Sequence, residues 1–323
     1  MAVEIYIIGG IGFAAACWGL NKYFEERKQR MALNPSARKP VSGLDDVVII
    51  ERPVPHQFWS QYLNTEQKIQ RIRAQLRLDT ENTVNIAVCG NSGTGKSTFI
   101  NCIRGVSDVK MTNDFVHNED GSAPVGITET TRKSMAYRWW IQNRERYVTL
   151  WDLPAAGTIS NPDVNYFEEI GLYAFDCILL LRAGRFTQFD LTICQQALKY
   201  KIPIVLVINK GDQDVSSNKK INIRQLGRQL TKDEYEEVIS QTKATLKENA
   251  LAELKSIRNG DGSKLHELPM FVIAAQSYRD QLNHKWDPQD SPALETENLL
   301  EHCLIVIVDH LMKSDNYHQT ATN

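Results

Sequence analysis

Residues 84–105 read VNIAVCGNSGTGKSTFINCIRG, a β-branched run that passes directly into Gly90-x-x-x-x-Gly95-Lys96-Ser97 and then into a segment of helical character. Glycines at this spacing let successive backbone N–H groups turn inward at a helix N-terminus, where they cradle phosphate oxygens along a path no larger residue follows. Gly90, Asn91, Ser92, Gly93, Thr94, Gly95 and Thr98 are the candidate cradle. Lys96 supplies a point charge to the outer phosphates, and the Ser97 hydroxyl is placed to ligate Mg²⁺ bridging those phosphates. A chance glycine-rich turn is the alternative, but a strand before and a helix after are the context that a true P-loop requires.

Two further segments fit the same chemistry. The run Tyr147-Val148-Thr149-Leu150-Trp151 ends on Asp152, where a strand-end carboxylate holds Mg²⁺ through water; read alone it is equally a turn cap. The run Pro203 to Ile208 delivers Asn209-Lys210-Gly211-Asp212. The Asp212 carboxylate accepts from guanine N1 and N2, and adenine offers no such donor pair, so an unpaired carboxylate discriminates against it. GTP and GDP are the expected ligands, Mg²⁺ the cofactor. After the strand ending at Ala274, Ala275 falls where a backbone N–H reads the base. Following Asp152, Ala155 stands where an Asp-x-x-Gly motif has its glycine, and Ala156 where a glutamine commonly positions water.

These segments need a scaffold. Strand-like runs at Val84-Val88, Tyr147-Trp151, Cys177-Leu181, Ile204-Ile208 and Met270-Ala274 alternate with amphipathic stretches, which predicts an α/β fold with a mainly parallel, doubly wound sheet. An amphipathic helix from Phe58 through Leu76 packs on the domain, a final helix covers Leu294 to Lys313, and residues 216–267 add helices after the guanine motif. The formal net charge of −2 carries no basic excess, so nucleic acid is an unexpected partner. Six scattered cysteines with no C-x-x-C pair read as buried thiols of a reduced compartment.

Ile5 to Leu20 carries no charge and is followed by Glu25-Glu26-Arg27-Lys28-Gln29-Arg30. With Arg27, Lys28, Arg30, Arg38 and Lys39 all downstream, this predicts an N-terminal membrane anchor that leaves the rest of the chain cytoplasmic; a buried helix is the competing reading. No basic region precedes the apolar run, so a cleaved signal peptide is rejected. The domains expected are a transmembrane or signal-anchor helix over 1–21, a linker over 22–55, a nucleotide-binding domain over 56–312 and a disordered tail over 313–323.

On NIAVCGNSGTGKSTFINCIRG (85–105), APVGITETT (123–131) and LWDLPAAGT (150–158), the chain resembles the immunity-related, interferon-inducible GTPases of the type with Gly-Lys-Ser in the P-loop. The resemblance covers about residues 56–312. It implies switch I at Gly126 to Thr131, with Thr131 a ligand of Mg²⁺ or the γ-phosphate and Glu129 an activator of hydrolysis, so that Lys96, Glu129 and Thr131 form the catalytic set and Ser97, Thr131 and Asp152 the metal set. It also implies nucleotide-dependent homodimers or oligomers through the G domain, with hydrolysis slow alone and faster on assembly, and a role in cell-autonomous defence. The chain departs from the family at Ala155 and Ala156, in a longer stretch from Val106 to Pro124, and in the expected absence of the C-terminal helical domain. Two functions follow from these readings. One is a membrane-associated GTPase switch; the other is a nucleotide-gated recruiting module with negligible turnover.

Overall fold

The computed structural model describes residues 11–32, 47–50, 65–80, 83–110, 121–125, 134–141, 146–155, 165–256, 264–285, 287, 292 and 294–321. The central sheet has seven strands among the described residues, in the order β1 (Val47–Ile50), β5 (Ser134–Ile141), β6 (Arg146–Asp152), β2 (Thr83–Cys89), β7 (Cys177–Arg182), β8 (Ile204–Ile208), β9 (Met270–Val272). From β6 through β9 every pairing is parallel, while β5 and β1 join antiparallel at one edge. A two-stranded parallel pair, β3 (Val109–Lys110) with β4 (Pro124–Val125), stands apart from it.

All five expected strands are present in this α/β sheet, and the period-2 rule shows why they are near-continuously apolar: both faces are covered. Val84, Ile86, Val88, Leu179, Leu181, Val205 and Val207 point into one buried cluster. It is closed by α3 (Lys96–Ile103), α8 (Ala275–Leu282), α9 (Thr296–Ala321) and α1 (Ile11–Ala32). Ala87, Cys89, Ile178, Leu180, Ile204 and Leu206 point the other way, onto α2 (Thr65–Gln75), α4 (Tyr166–Ile170), α5 (Gln188–Tyr200) and the segment Leu172–Ala174. The expected helices after the guanine motif are α6 (Gly211–Leu226) and α7 (Lys232–Ser256).

The N-terminal expectation is corrected. The first helix does not end where the charges begin but runs on through Lys22, Glu25 and Glu26 to Ala32, and no helix among the described residues is long and apolar enough to cross a membrane. Its Ala16, Cys17, Leu20, Tyr23 and Phe24 are buried in the same cluster as Cys303, Leu304 and Ile307 of α9. The apolar stripe is therefore used to pack on the domain, with Gly19 near Val308 Cγ1. Helix α1 reaches Ala32 and α9 continues through Ala321. Phe58, Trp59 and Tyr62 of the expected amphipathic helix lie outside the described residues; its Ile72 and Leu76 are buried.

All six cysteines are free and buried. Burial pushes the Cys17 and Cys102 thiols up to about 12, so neither is a nucleophile near neutral pH.

Candidate nucleotide site

The loop from Gly90 to Gly95 joins the C-terminal end of the central strand β2 to the first turn of α3, at the sheet edge where open α/β folds bind ligands. Gly90, Gly93 and Gly95 all have positive φ. Two of them also leave no room for a side chain: a Cβ on Gly90 would lie 2.2 Å from the Leu181 carbonyl oxygen, and one on Gly95 2.8 Å from Asn209 Nδ2. Gly95 is the N-cap of α3 and makes no side-chain cap, so the helix presents its N-terminal backbone to the loop. Lys96 folds back over this loop, donating from Nζ to the Gly90 carbonyl at 3.1 Å and the Asn91 carbonyl at 3.3 Å. The ammonium thus sits inside the curve where phosphate oxygens would compete for it.

Ser97 and Asp152, separated by 55 positions, meet directly: Ser97 Oγ donates to Asp152 Oδ2 at 2.6 Å, and both side chains are buried. The contact exists because β6 lies beside β2 in parallel register, Val88 opposite Asp152, so both strands deliver their last residues to one side of the loop. A hydroxyl and a carboxylate are hard oxygen donors of the kind Mg²⁺ takes alongside phosphate, so this pair fits the ion.

The guanine motif is fastened to the same loop. Asn209 Nδ2 donates to the Thr94 carbonyl at 2.9 Å and Lys210 Nζ to the Gly93 carbonyl at 2.9 Å. Lys210 adopts φ 65°, and Gly211 follows with its N–H on the Ile273 carbonyl at 3.0 Å. A Cβ at Gly211 would lie 2.7 Å from Val272 Cγ1, which keeps the motif tight against the base-loop strand β9. Asp212 is half-buried in the first turn of α6; burial raises its carboxyl above the ordinary aspartate value, opposed by its own backbone N–H, that of Gln213 and the charge of Lys210. Ala275 opens α8 and is buried.

The structure therefore brings together Gly90 through Ser97, Asp152, Asn209 and Lys210 by direct contact. Asp212 follows Lys210 by two positions, and Ala275 follows β9, the strand hydrogen-bonded to β8. Ala155 is buried at 4 % exposure beyond Asp152. Glu129, Thr131 and Ala156 lie outside the described residues.

Several supporting residues carry no motif and went unread in the sequence. Asn91 Nδ2 donates to Thr187 Oγ1 at 2.9 Å, and Thr187 is the N-cap of α5 in a reciprocal capping box with Asp190. Thr-x-x-Asp is a cap signature, so this one was findable. Buried Asn101 takes both backbone groups of Ala123, accepting its N–H at 2.7 Å and donating to its carbonyl at 2.8 Å. Arg104 donates to the Gly121 carbonyl at 2.7 Å. Together they fix the chain just ahead of Gly126. Nothing local in sequence marks Asn101 or Arg104 for this.

Residues 61–253 match the family model described as Interferon-inducible GTPase. Among curated relatives, T-cell-specific guanine nucleotide triphosphate-binding protein 2 of Mus musculus is 33% identical over 158 residues, covering 49% of this chain and 35% of that protein. Interferon-inducible GTPase 1 of Mus musculus is 31% identical over 134 residues, covering 42% and 30%. The matches thus span about a third of the relatives' length. Among solved structures, Toc33 from Arabidopsis thaliana aligns at 13% identity over 77% of this chain and 95% of that one, with a TM-score of 0.42.

Proposed function

This chain belongs to the interferon-inducible GTPase family, and from that premise we propose that it binds GTP and GDP at the P-loop and hydrolyses GTP with Mg²⁺. The observation that carries the proposal is the convergence of three distant segments on one loop: Ser97 on Asp152 at 2.6 Å, Asn209 on Thr94 at 2.9 Å and Lys210 on Gly93 at 2.9 Å.

In this reading the backbone N–H groups of residues 91–97 hold the phosphates, and the Lys96 ammonium exchanges the Gly90 and Asn91 carbonyls for phosphate oxygens. Ser97 Oγ and the Asp152 carboxylate hold Mg²⁺, with Thr131 a further ligand by family likeness; when bound, the ion neutralises charge on the phosphate oxygens. Asp212 accepts from guanine N1–H and N2–H, the Lys210 stem lies alongside the base, and the Ala275 N–H donates to the guanine carbonyl. Glu129 activates the reaction by likeness alone. Without a glutamine at 156, turnover is slow in the monomer and rises when two G domains meet, which makes the protein an assembly switch, acting in cell-autonomous defence by family likeness.

Ala155, buried where a glycine amide would report the γ-phosphate, favours a second reading in which the site binds nucleotide with negligible turnover. Phosphate release per chain, measured against protein concentration, separates the two. The hydrolase reading expects turnover that rises with concentration and vanishes in Lys96→Ala. Turnover no greater than that variant's at every concentration leaves only the recruiting module.

A further inference from the structure

A second cleft of about 950 Å³ lies behind the guanine motif, between the ends of β7 and β8 and the inserted helix α7. Asn209 and Lys210 form one wall of it; Lys96, Ser97, Asp152, Asp212 and Ala275 do not line it. It is thus set apart from the phosphates, the Ser97–Asp152 pair and the base-reading carboxylate.

Its floor is Arg182, the last residue of β7, whose side chain is only 7% exposed. Among the described residues, Arg182 Nε and Nη1 have no hydrogen-bond partner. Arg182 is ion-paired with Glu253, whose Oε2 stands 3.7 Å from Nη1 and also accepts the Phe186 N–H at 2.9 Å, and the charge of Asp190 acts on it as well. The guanidinium lies over the Phe186 ring, its Cζ 4.1 Å from the ring centre. A guanidinium has five donors in a rigid fork, and burying it with donors unmatched is costly, so an arginine whose pairing with Glu253 is longer than a hydrogen bond is suited to a planar or tetrahedral oxyanion that reaches it from the cleft.

The rest of the lining sets the shape of the ligand. Phe186, Leu191, Ile208 and Leu246 offer apolar surface, and the volume matches sites that enclose a small organic molecule and far exceeds the needs of a lone ion. We propose that this cleft is a second ligand site, taking a small organic anion whose carboxylate or phosphate pairs with Arg182 and whose apolar body lies against Phe186 and Leu246 from α7.

The test is calorimetric titration of the full chain, saturated with GDP, using naphthoate as the probe, naphthamide as its uncharged counterpart and inorganic phosphate as the bodiless anion. GDP keeps the probe out of the P-loop; if the chain binds no GDP the nucleotide reading fails, and the titration is run without it. Naphthoate is expected to bind one per chain, with naphthamide and inorganic phosphate each about tenfold weaker or more. Arg182→Gln is expected to lower naphthoate affinity by a similar factor. Ala252→Trp, from the exposed side of α7, fills the cleft and blocks binding without touching the buried arginine. Equal affinity for naphthoate and naphthamide, no saturable naphthoate binding, or binding that survives Ala252→Trp would overturn the proposal.

Discussion

At the scale of single residues, the site's chemistry is written in types and spacings, and its tolerances are set by contacts. Gly95 combines φ 87° with a Cβ position 2.8 Å from Asn209 Nδ2, so Gly95→Ala both strains the backbone and pushes the guanine motif off the P-loop. A loss of about 1–3 kcal/mol in denaturant unfolding is expected, with weaker binding of both GDP and GTP. Asp212 carries a pH prediction. Burial favours its protonated form, and guanine needs the carboxylate, so GDP affinity declines as pH falls toward a carboxyl value above that of an exposed aspartate. Fluorescence titration with a labelled GDP at a series of pH values should show this decline. Asp212→Asn should bind roughly 10–150-fold more weakly at neutral pH and lose the pH dependence, since the charged hydrogen bonds are gone. These residues were legible because their types admit few other uses at that spacing. Asn101 and Arg182 were not, because an ordinary polar residue acquires its role only from the neighbour the fold supplies.

At the scale of elements, the five strands from Val84 to Ala274 were readable since residues alternating into two buried layers leave an unbroken apolar run. Strand β5 was harder, because SMAYRWWI mixes Arg138 and two tryptophans at the antiparallel edge of the sheet. Helix α1 was misread. Its apolar face is the same whether it meets lipid or protein, and only α9 against it decides; Cys17 and Leu20 are each 1% exposed there. Leu20→Ala should therefore destabilise the folded protein by about 2–5 kcal/mol, measured by chemical denaturation, as removal of a core leucine does. A membrane-facing leucine would instead leave the stability in solution unchanged.

At the scale of the whole molecule, the proposed switch requires that nucleotide state alter association. Light scattering should show a larger species with a non-hydrolysable GTP analogue than with GDP, and Lys96→Ala should remain in the smaller state with either. Equal mass in both nucleotides would remove assembly from the proposal while leaving binding intact. What the sequence determined by itself is the layered α/β scaffold, read from the apolar periodicity, and the residue types and spacings at Gly90 to Ser97 and Asn209 to Asp212 on which the proposed phosphate and guanine contacts rest, all of them local consequences of residue type and order. What only the tertiary structure decided is which distant groups meet. Ser97 finds Asp152 because two strands run parallel in register, Arg182 acquires a cleft because α7 packs beside it, and the N-terminal helix lies on α9 rather than in a bilayer. Those outcomes depend on three-dimensional neighbours, and the order of residues along one strand or one helix contains no statement of what will face it.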